Sequence, residues 1–213
     1  MTSDATTRLV DPLRPSAVTS VEDDPILSTR PRRSLSERQS VTVTALLEAG
    51  LIELGDVGYD KLTIRSVAQR AGVTHTTAYS YFTSKAHLVC ELYWRQMHSL
   101  PVPETASDAS FVDRVRSSVE APAALLDANP SLARSIFASI LSDEADVRRL
   151  RGAVAKVMLD RLRTALGPFG DPDLVDVLFM AYSGALMFAG TGSQHFLDVV
   201  PRMELLARRL DPG

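Results

Sequence analysis

The spacing of apolar residues along this chain changes at Ser34, from irregular before it to periodic after it. Residues 1–33 contain four prolines and many Ser and Thr, and no apolar face repeats there. Such a segment cannot bury enough apolar surface to fold by itself, so we expect a disordered tail over 1–33. A helix whose N-cap is Ser34 or Ser36 is predicted to follow. Its apolar residues lie on one helical stripe: Val41, Ala45, Ala49 and Ile52.

Capping and turn-forming residues divide the chain after the start of this helix. Ser and Thr cap helices because their side chains accept a hydrogen bond from a free backbone N–H, whereas Gly and Pro end them. Four helices are predicted on this basis. The first ends at Gly55 and Gly58, and the second covers 64–71 with Thr63 as its cap. The third runs from Thr74 to about Phe82, and the fourth is capped by Ser84 and ended by Pro101 and Pro103.

The rest of the chain has the apolar spacing of helices, and no segment alternates with the period of a strand. We therefore predict an all-α protein, with the tail over 1–33, a three-helix domain over 34–83 and a helical domain over 84–213. The helices expected in the last part lie near 108–127, 131–142, 144–167, 172–190 and 194–210.

The distribution of charge is more informative than its sum. The formal net charge is only −3, but residues 30–99 hold nine Lys and Arg against six Asp and Glu. The positive charge therefore lies in the segment that contains the short helices. The single cysteine, Cys90, excludes an intrachain disulfide and is typical of a reducing cytoplasm. No secretory signal is expected, and the uncharged stretch 177–197 is interpreted as a buried helix and a turn rather than a membrane span.

The second and third helices, joined by Gly72 and Val73, have the spacing of a helix-turn-helix. In the third helix Ala78 and Phe82 lie four residues apart, so both can face the core. Small hydroxyls and phenols suit close approach to phosphates and base edges, whereas a solvated face would favour Lys and Glu. Lys85 follows the helix and is placed to reach a phosphate. The surface predicted to contact DNA comprises Thr74, His75, Thr76, Thr77, Tyr79, Ser80 and Tyr81.

These residues resemble the DNA-binding domain of the TetR family of bacterial regulators. The resemblance covers about 50 residues, through the segments 46–50, 58–73 and 77–85. It is specific, because the turn, the Tyr79–x–x–Phe82 pair and the following Ser84–Lys85 all keep their register. The chain departs from the family at Thr76, where Gly or Pro is common, and at Ala78, where Leu is common. Thr76 is expected to alter the base preference, and the smaller Ala78 is expected to reduce the contact between the helices.

The resemblance implies a homodimer that places two recognition helices in successive major grooves of double-stranded operator DNA. A ligand-responsive repressor in the bacterial cytoplasm, associated with the nucleoid when bound to DNA, is the function expected. An activator of the same family, or a helical protein-interaction module without DNA binding, is the alternative. The resemblance also implies a role for each residue. Thr63 and Arg65 contact phosphates, and Arg65 contacts a base as well. Base-edge contacts come from His75, Thr76 and Thr77, and contacts to the DNA backbone come from Tyr79, Tyr81 and Lys85.

Two apolar helices near the end of the chain are predicted to form the dimer interface. Between Val177 and Ala189, apolar or small residues cover nearly the whole helix circumference, so this helix must be buried on more than one side. One side can face its own domain and the other a partner subunit, with the final helix completing a four-helix interface. The interface residues expected are Leu178, Tyr182, Leu186, Phe196, Val200 and Met203.

A ligand pocket is expected between the central helices of the second domain, where the resemblance places it. The flexible side chains of methionines suit an adaptable apolar cavity, so the expected effector is small and apolar or amphipathic. Residues of this kind are more often plain core than pocket lining. The candidates by helix position are Trp94, Met97, Phe111, Phe137, Ile140 and Met158.

No enzyme, cofactor or metal site is expected. The run Gly190–Gly192 follows a helix and lacks the third glycine of a dinucleotide fingerprint, and no P-loop or nucleophile elbow is present. His87, Cys90 and Glu91 lie close on one helix, but three such ligands rarely close a metal site without a fourth from elsewhere. The basic end of the tail, Arg30–Arg33, is either a solvated linker or an arm that touches a phosphate or a minor groove.

Overall fold

The computed structural model describes residues 37–211, and every regular element within that range is helical. The prediction of an all-α fold is confirmed. The predicted tail and the predicted N-caps Ser34 and Ser36 lie outside the described residues. The helices are α1 (Glu37–Lys61), α2 (Ile64–Arg70), α3 (His75–Tyr81), α4 (Lys85–Ser99), α5 (Phe111–Ala128), α6 (Pro130–Ser139), α7 (Ala145–Leu166), α8 (Pro172–Phe188) and α9 (Val199–Leu210).

The first helix is longer than predicted and buries a different stripe. Val41 is 65% exposed and Ile52 is 53% exposed, so two of the four residues of the predicted stripe face solvent. Gly55 remains helical, whereas Gly58 has φ 75° and ψ 168° and interrupts the helical backbone before Lys61. Only glycine adopts such a conformation readily. The residues that α1 contributes to the core are Val43, Leu46, Leu47, Ala49 and Leu54.

The predicted bounds and caps of α2, α3 and α4 are confirmed. The fourth helix is the most buried of the three and packs against α1 on one side and against α6 and α7 on the other. The described residues 37–211 form one compact unit, without a separate division near residue 83. The boundary between the parts predicted over 34–83 and 84–213 therefore stays a prediction, since α4 joins both into one core.

The remaining helices enclose a second part of the core, in which α5 packs on α9 and α7 packs on α8. A π-helical turn, Ala189–Ser193, follows α8, and α9 begins at Val199 rather than near residue 194. A Cβ atom on Gly190 would lie 2.5 Å from the ring of Phe137, so this turn depends on a residue without a side chain. The ring of Phe137 stacks on that of Phe196, with centroids 5.8 Å apart.

The segment Pro172–Ser193 is long and apolar enough to cross a membrane by length and composition alone. Core helices of soluble proteins pass the same test, but only 28% of the apolar 18-residue window in this segment is buried within the chain. The sequence-based expectation of a buried helix is therefore only partly met. One side of α8 packs on the core and the other presents apolar side chains to the surroundings.

Candidate DNA-binding surface

The two short helices α2 and α3 meet at a tight turn. Gly72 has φ 69°, in the left-handed region that favours glycine, and the N–H of Val73 donates to the carbonyl of Ala68 over 3.0 Å. Ala78 is fully buried and Phe82 is 3% exposed, as the spacing predicted. The inward positions of α3 are therefore fixed, which leaves its other residues on the outside.

The caps of both helices are made by threonine side chains. Thr63 accepts from the N–H of Ser66 over 3.0 Å, and the hydroxyl of Ser66 in turn lies within reach of the Thr63 backbone. Thr74 accepts from the N–H of Thr77 over 3.1 Å, and the two hydroxyls are 2.9 Å apart. Part of the hydroxyl surface predicted to contact DNA therefore also caps the helices.

The predicted DNA-contacting residues differ in how much of them is exposed. Arg65 has no ion pair or hydrogen bond from its side chain within residues 37–211, so its guanidinium group is available to an external partner. Tyr79 is 50% exposed. The exposed members of the set are Thr63, Arg65, Thr74, His75, Thr76 and Tyr79, and the half-buried members are Thr77, Tyr81 and Lys85.

Lys85 makes contacts within the chain that the sequence did not reveal. Its ammonium group donates to the carbonyls of Tyr59 (2.9 Å) and Asp60 (3.2 Å) and lies 4.4 Å from the centroid of the Tyr59 ring. The start of α4 is thereby tied to the end of α1. A phosphate contact from Lys85 stays a prediction, and it would compete with these two hydrogen bonds.

An ion-pair group holds α2 against α1. Arg70, in the last turn of α2, donates to Glu53 (2.7 Å) and to Asp56 (2.6 Å). These two hydrogen bonds and charges raise the pKa of Arg70. The pairs lie 17 and 14 residues apart in sequence, so no local pattern could have identified them. They fix the orientation of α2, from which Arg65 projects.

The turn after the recognition helix is bonded to the start of α7. Thr83 donates to Asp146 over 3.2 Å, and Ser84 donates to Glu144. The backbone N–H of Thr83 also donates to Nδ1 of the buried His87 over 3.3 Å. Burial lowers the pKa of His87, although the nearby charge of Asp146 opposes that shift. These contacts link the end of α3 directly to the C-terminal helices, across about 60 residues of sequence.

The residues predicted for the dimer interface stay a prediction, but five of the six are buried within their own chain. These five side chains are at most 8% exposed and pack inside their own chain: Leu178, Tyr182, Leu186, Val200 and Met203. The sixth, Phe196, is half-buried and stacks on Phe137. Periodicity showed that α8 is apolar all round, but it could not show which side faces its own domain. The exposed apolar residues of this region are Val177, Met180, Met187, Phe188, Leu197 and Leu205.

The six predicted pocket residues lie in or beside the core. Met97, Phe111 and Met158 are at most 2% exposed, while Trp94 is half-buried and its ring stacks on His98. Phe137 is packed against Gly190 and Phe196, and Ile140 is half-buried. A cavity of about 380 Å³ lies elsewhere, between the end of α1 and α6, and none of the six lines it. Their role in binding a ligand stays a prediction.

Three side chains of α4 were considered as metal ligands: His87, Cys90 and Glu91. Within residues 37–211, no group of three His, Cys, Asp or Glu residues could hold an ion. Burial raises the pKa of Cys90 to about 12, so its thiol stays protonated at neutral pH. The thiolate form that binds metals is therefore disfavoured at this position.

Comparison with known proteins agrees with this geometry. The family model described as "Bacterial regulatory proteins, tetR family" matches residues 46–92, which contain α2, α3 and the turn between them. An uncharacterized HTH-type transcriptional regulator of Mycobacterium tuberculosis and one of Mycobacterium bovis are each 34% identical over 172 residues, which is 80% of this chain and 80% of each relative.

Solved structures share the fold at lower identity. A TetR transcriptional regulator from Rhodococcus sp. RHA1 has a TM-score of 0.69 at 22% identity, covering 83% of this chain and 99% of that one. The regulator FadR from Bacillus subtilis, solved in complex with stearoyl-CoA, has a TM-score of 0.58 at 16% identity, covering 77% and 96%. The chain belongs to the TetR family of bacterial transcriptional regulators, and its helix-turn-helix is a DNA-binding element.

Proposed function

We propose that this protein is a homodimeric, ligand-responsive repressor that binds a palindromic operator through α2 and α3. The observation that carries the proposal is the exposed polar surface of α3. His75, Thr76 and Tyr79 are exposed on a helix whose opposite side is held in the core by Ala78. Two such helices, related by a dimer axis, would enter major grooves about 34–36 Å apart.

The side chains around α3 suit two kinds of DNA contact. The unpaired guanidinium group of Arg65 can bind a phosphate or the edge of a guanine, while the hydroxyls of Thr63 and Tyr79 can donate to phosphate oxygens. His75 and Thr76 are free of capping bonds and are the candidates for base contacts. Thr74 and Thr77 serve the helix cap as well, so their part in DNA binding is secondary.

The exposed apolar side of α8 supports a dimer. Val177, Met180, Met187 and Phe188 recur at helical spacing along this side and are each more than 40% exposed. Leu205 of α9, a helix that packs against α8, is exposed as well. An apolar helix side is stabilised when it is removed from water, at roughly 25 cal/mol per Å². A second copy of the chain can cover it through an isologous contact, in which each subunit uses the same residues.

The bonds between the recognition turn and α7 support coupling between ligand and DNA binding. A displacement of α7 would act on Thr83 and Ser84 through Asp146 and Glu144, and therefore on the orientation of α3. α4 packs against both α7 and α1 and would move with them. The ligand shifts the equilibrium only as far as it prefers the displaced arrangement.

The buried polar groups of the C-terminal part support an amphipathic effector. The hydroxyl of Tyr182 has no hydrogen-bond partner among the described residues. Burial raises its pKa, and the charge of Arg161 opposes that shift. Arg161 is 6% exposed and donates only to the carbonyls of Pro101 and Ser118 in the described part of the chain. An effector with an acceptor group that enters this part of the core would accept from the Tyr182 hydroxyl. FadR, which shares the fold, was solved with the amphipathic ligand stearoyl-CoA.

The test is quantitative binding of the full chain to DNA from the gene's own upstream region and to fragments selected from random sequence. Saturable binding that survives nonspecific competitor and weakens with salt is expected. Arg65→Ala should weaken binding by roughly tenfold, the loss typical of one arginine contact to a base or phosphate. Its thermal unfolding should match that of the unmodified protein, because the exposed side chain of Arg65 makes no ion pair or hydrogen bond within the described chain.

Arg163→Ala is the matched control, because Arg163 is also exposed but lies at the end of α7, away from the recognition helix. Its affinity for DNA should be unchanged. If no selected fragment binds better than competitor, the protein is a helical interaction module and the proposal is wrong. If selected DNA binds but Arg65→Ala has no effect, the DNA-binding function stands and the assignment of Arg65 is wrong.

A further inference from the structure

The cavity between α1 and α6 is separate from the predicted effector pocket and from the recognition helix. One wall is the end of α1, residues 57–61, and the other consists of Ser131, Arg134, Ser135 and Ala138 on α6. The α6 residues are spaced three, four and seven positions from the first, so they lie on one side of that helix. The volume of about 380 Å³ is in the lower part of the range typical of small-molecule sites.

Both walls of this cavity are fixed by contacts within the chain. Gly58 interrupts α1 with its positive φ, and Lys85 bonds to the carbonyls of Tyr59 and Asp60. On α6, Ser135 donates to the carbonyl of Ser131 over 2.6 Å, and Ile136 on the opposite side is 2% exposed. The cavity is therefore bounded by fixed elements on both sides.

The charges that line the cavity are not neutralised by one another. Lys61 and Arg134 form no ion pair or side-chain hydrogen bond with any residue in 37–211. Asp60 is the third charged residue in the lining, and it is likewise without an ion pair in that range. Two cations and one carboxylate leave a net charge of +1 around the cavity. A guanidinium group and an ammonium group together favour an oxyanion.

We propose that this cavity binds a small organic carboxylate of single negative charge. Its carboxylate group pairs with Arg134, which can donate two parallel hydrogen bonds, and Lys61 supplies the second positive charge. The hydroxyl of Ser131 is a further donor at the same wall. Asp60 favours a ligand that also has a hydroxyl or amine group, because such a donor satisfies the aspartate and reduces its repulsion of the bound anion.

This ligand bridges two elements that meet at the DNA-binding half of the protein. The end of α1 leads directly into α2, and α6 packs against α4. A bound anion therefore stabilises the observed arrangement of α1 and α6. It is a regulatory input distinct from the effector of the C-terminal helices, and it does not depend on the proposed operator or dimer.

The experiment measures binding to the full chain by calorimetry and by thermal unfolding, with lactate as the probe and sodium chloride at the same ionic strength as the reference. Lactate carries one carboxylate and one hydroxyl. A saturable rise in the unfolding temperature is expected with lactate and not with chloride. Arg134→Gln should weaken lactate binding by at least roughly tenfold, because a charge-assisted pair is lost. Arg163→Gln, at an exposed position outside the cavity, should bind lactate like the unmodified protein.

Three outcomes would overturn the proposal. An equal rise in unfolding temperature with chloride would mean that ionic strength alone causes the effect. Unchanged lactate binding in Arg134→Gln would mean that the anion binds at another site. A tighter response to inorganic phosphate than to lactate would exclude a carboxylate of single charge as the ligand class. DNA affinity measured in the same buffers without lactate should be equal for Arg134→Gln and the unmodified protein. A failure of the DNA-binding proposal can therefore be distinguished from a failure of the carboxylate-binding proposal.

Discussion

The recognition helix α3 and the apolar helix α8 each have one side in the core and one side exposed, but the exposed chemistry is opposite. Ala78 and Leu178 are both fully buried. Opposite Ala78, α3 presents Thr, His and Tyr side chains, whereas α8 presents Met180 and Phe188. A polar side with small hydroxyls can remain in water until a phosphate backbone displaces that water, while an apolar side is stable only when covered.

The difference shows that the exposed side of a helix, more than its fold, indicates the class of its partner. The exposed side of α3 should therefore contribute to the free energy of DNA binding, and the exposed side of α8 to the free energy of subunit association. Substitutions on the exposed side of α3 should change DNA affinity and leave folding intact. Substitutions on the exposed side of α8 should change the oligomeric state, and DNA affinity would follow because two half-sites must be bound together.

The largest expected effect comes from placing charge on the exposed side of α8. Met180→Glu combined with Phe188→Glu should convert the proposed dimer to a monomer, because two carboxylates would be buried at the proposed interface without partners. Loss of the second half-site should then lower operator affinity by about 10²- to 10⁴-fold. Sedimentation velocity gives the oligomeric state, and titration with operator DNA gives the affinity.

Leu141→Glu is the control for that experiment, since Leu141 is 64% exposed but lies between α6 and α7. It should remain dimeric. A dimer that persists in the double variant would show that another surface holds the subunits together, and the contrast between α3 and α8 would fail.

A smaller effect is expected from the turn that ends α8. Gly190→Ala would place a methyl group 2.5 Å from the ring of Phe137 and should destabilise the fold by about 1–3 kcal/mol, the typical cost of overpacking. Gly152→Ala, in the middle of α7 with no atom within 4 Å of its Cβ position, should stabilise the fold by up to about 1 kcal/mol. Chemical denaturation measures both, and equal effects would mean that the Phe137 ring moves aside freely.

Two threonines of the recognition helix should separate stability from DNA affinity. Thr74→Ala removes the N-cap bond to Thr77 and should cost about 1 kcal/mol of folding free energy. Thr76→Ala removes an exposed hydroxyl without a capping role, so unfolding should be unchanged while operator affinity falls. Paired denaturation and DNA titrations test this, and a loss of stability in Thr76→Ala would contradict it.

The smallest expected effect is the contribution of His87 to stability as a function of pH. Its pKa is lowered by burial, so the folded state favours the neutral ring that accepts from Thr83, and the unfolded state binds the proton more readily. The stabilising contribution is therefore present above the unfolded pKa of about 6.5 and is lost as the pH falls below it.

Comparing unfolding temperatures at several pH values in the unmodified protein and in His87→Gln isolates this contribution from that of the carboxylates. Glutamine can still accept the Thr83 hydrogen bond but does not titrate. The variant should lose less stability than the unmodified protein on acidification between pH 7 and pH 5, the interval around the usual histidine pKa. Identical losses would show that His87 does not account for the pH dependence.

The sequence by itself determined the short-range features of this protein. The caps Thr63, Thr74 and Ser84 and the turn at Gly72 were all predicted, because each depends on residues within four positions of one another. The inward positions of α3 followed for the same reason. These local features were sufficient to predict the helix-turn-helix and the family, because the DNA-binding element is itself short and locally specified.

Only the tertiary structure decided which side of each long helix faces the core. The stripe predicted for α1 includes Val41 and Ile52, which are exposed, and the interface predicted on α8 includes Leu178, which is buried in its own chain. A helix with apolar residues on several sides gives no unique buried side until its neighbours are in place. The bonds from Arg70, Lys85 and Thr83 likewise join residues at least 14 positions apart. Their geometry, and the cavity beside Arg134, exist only because folding brings distant helices together.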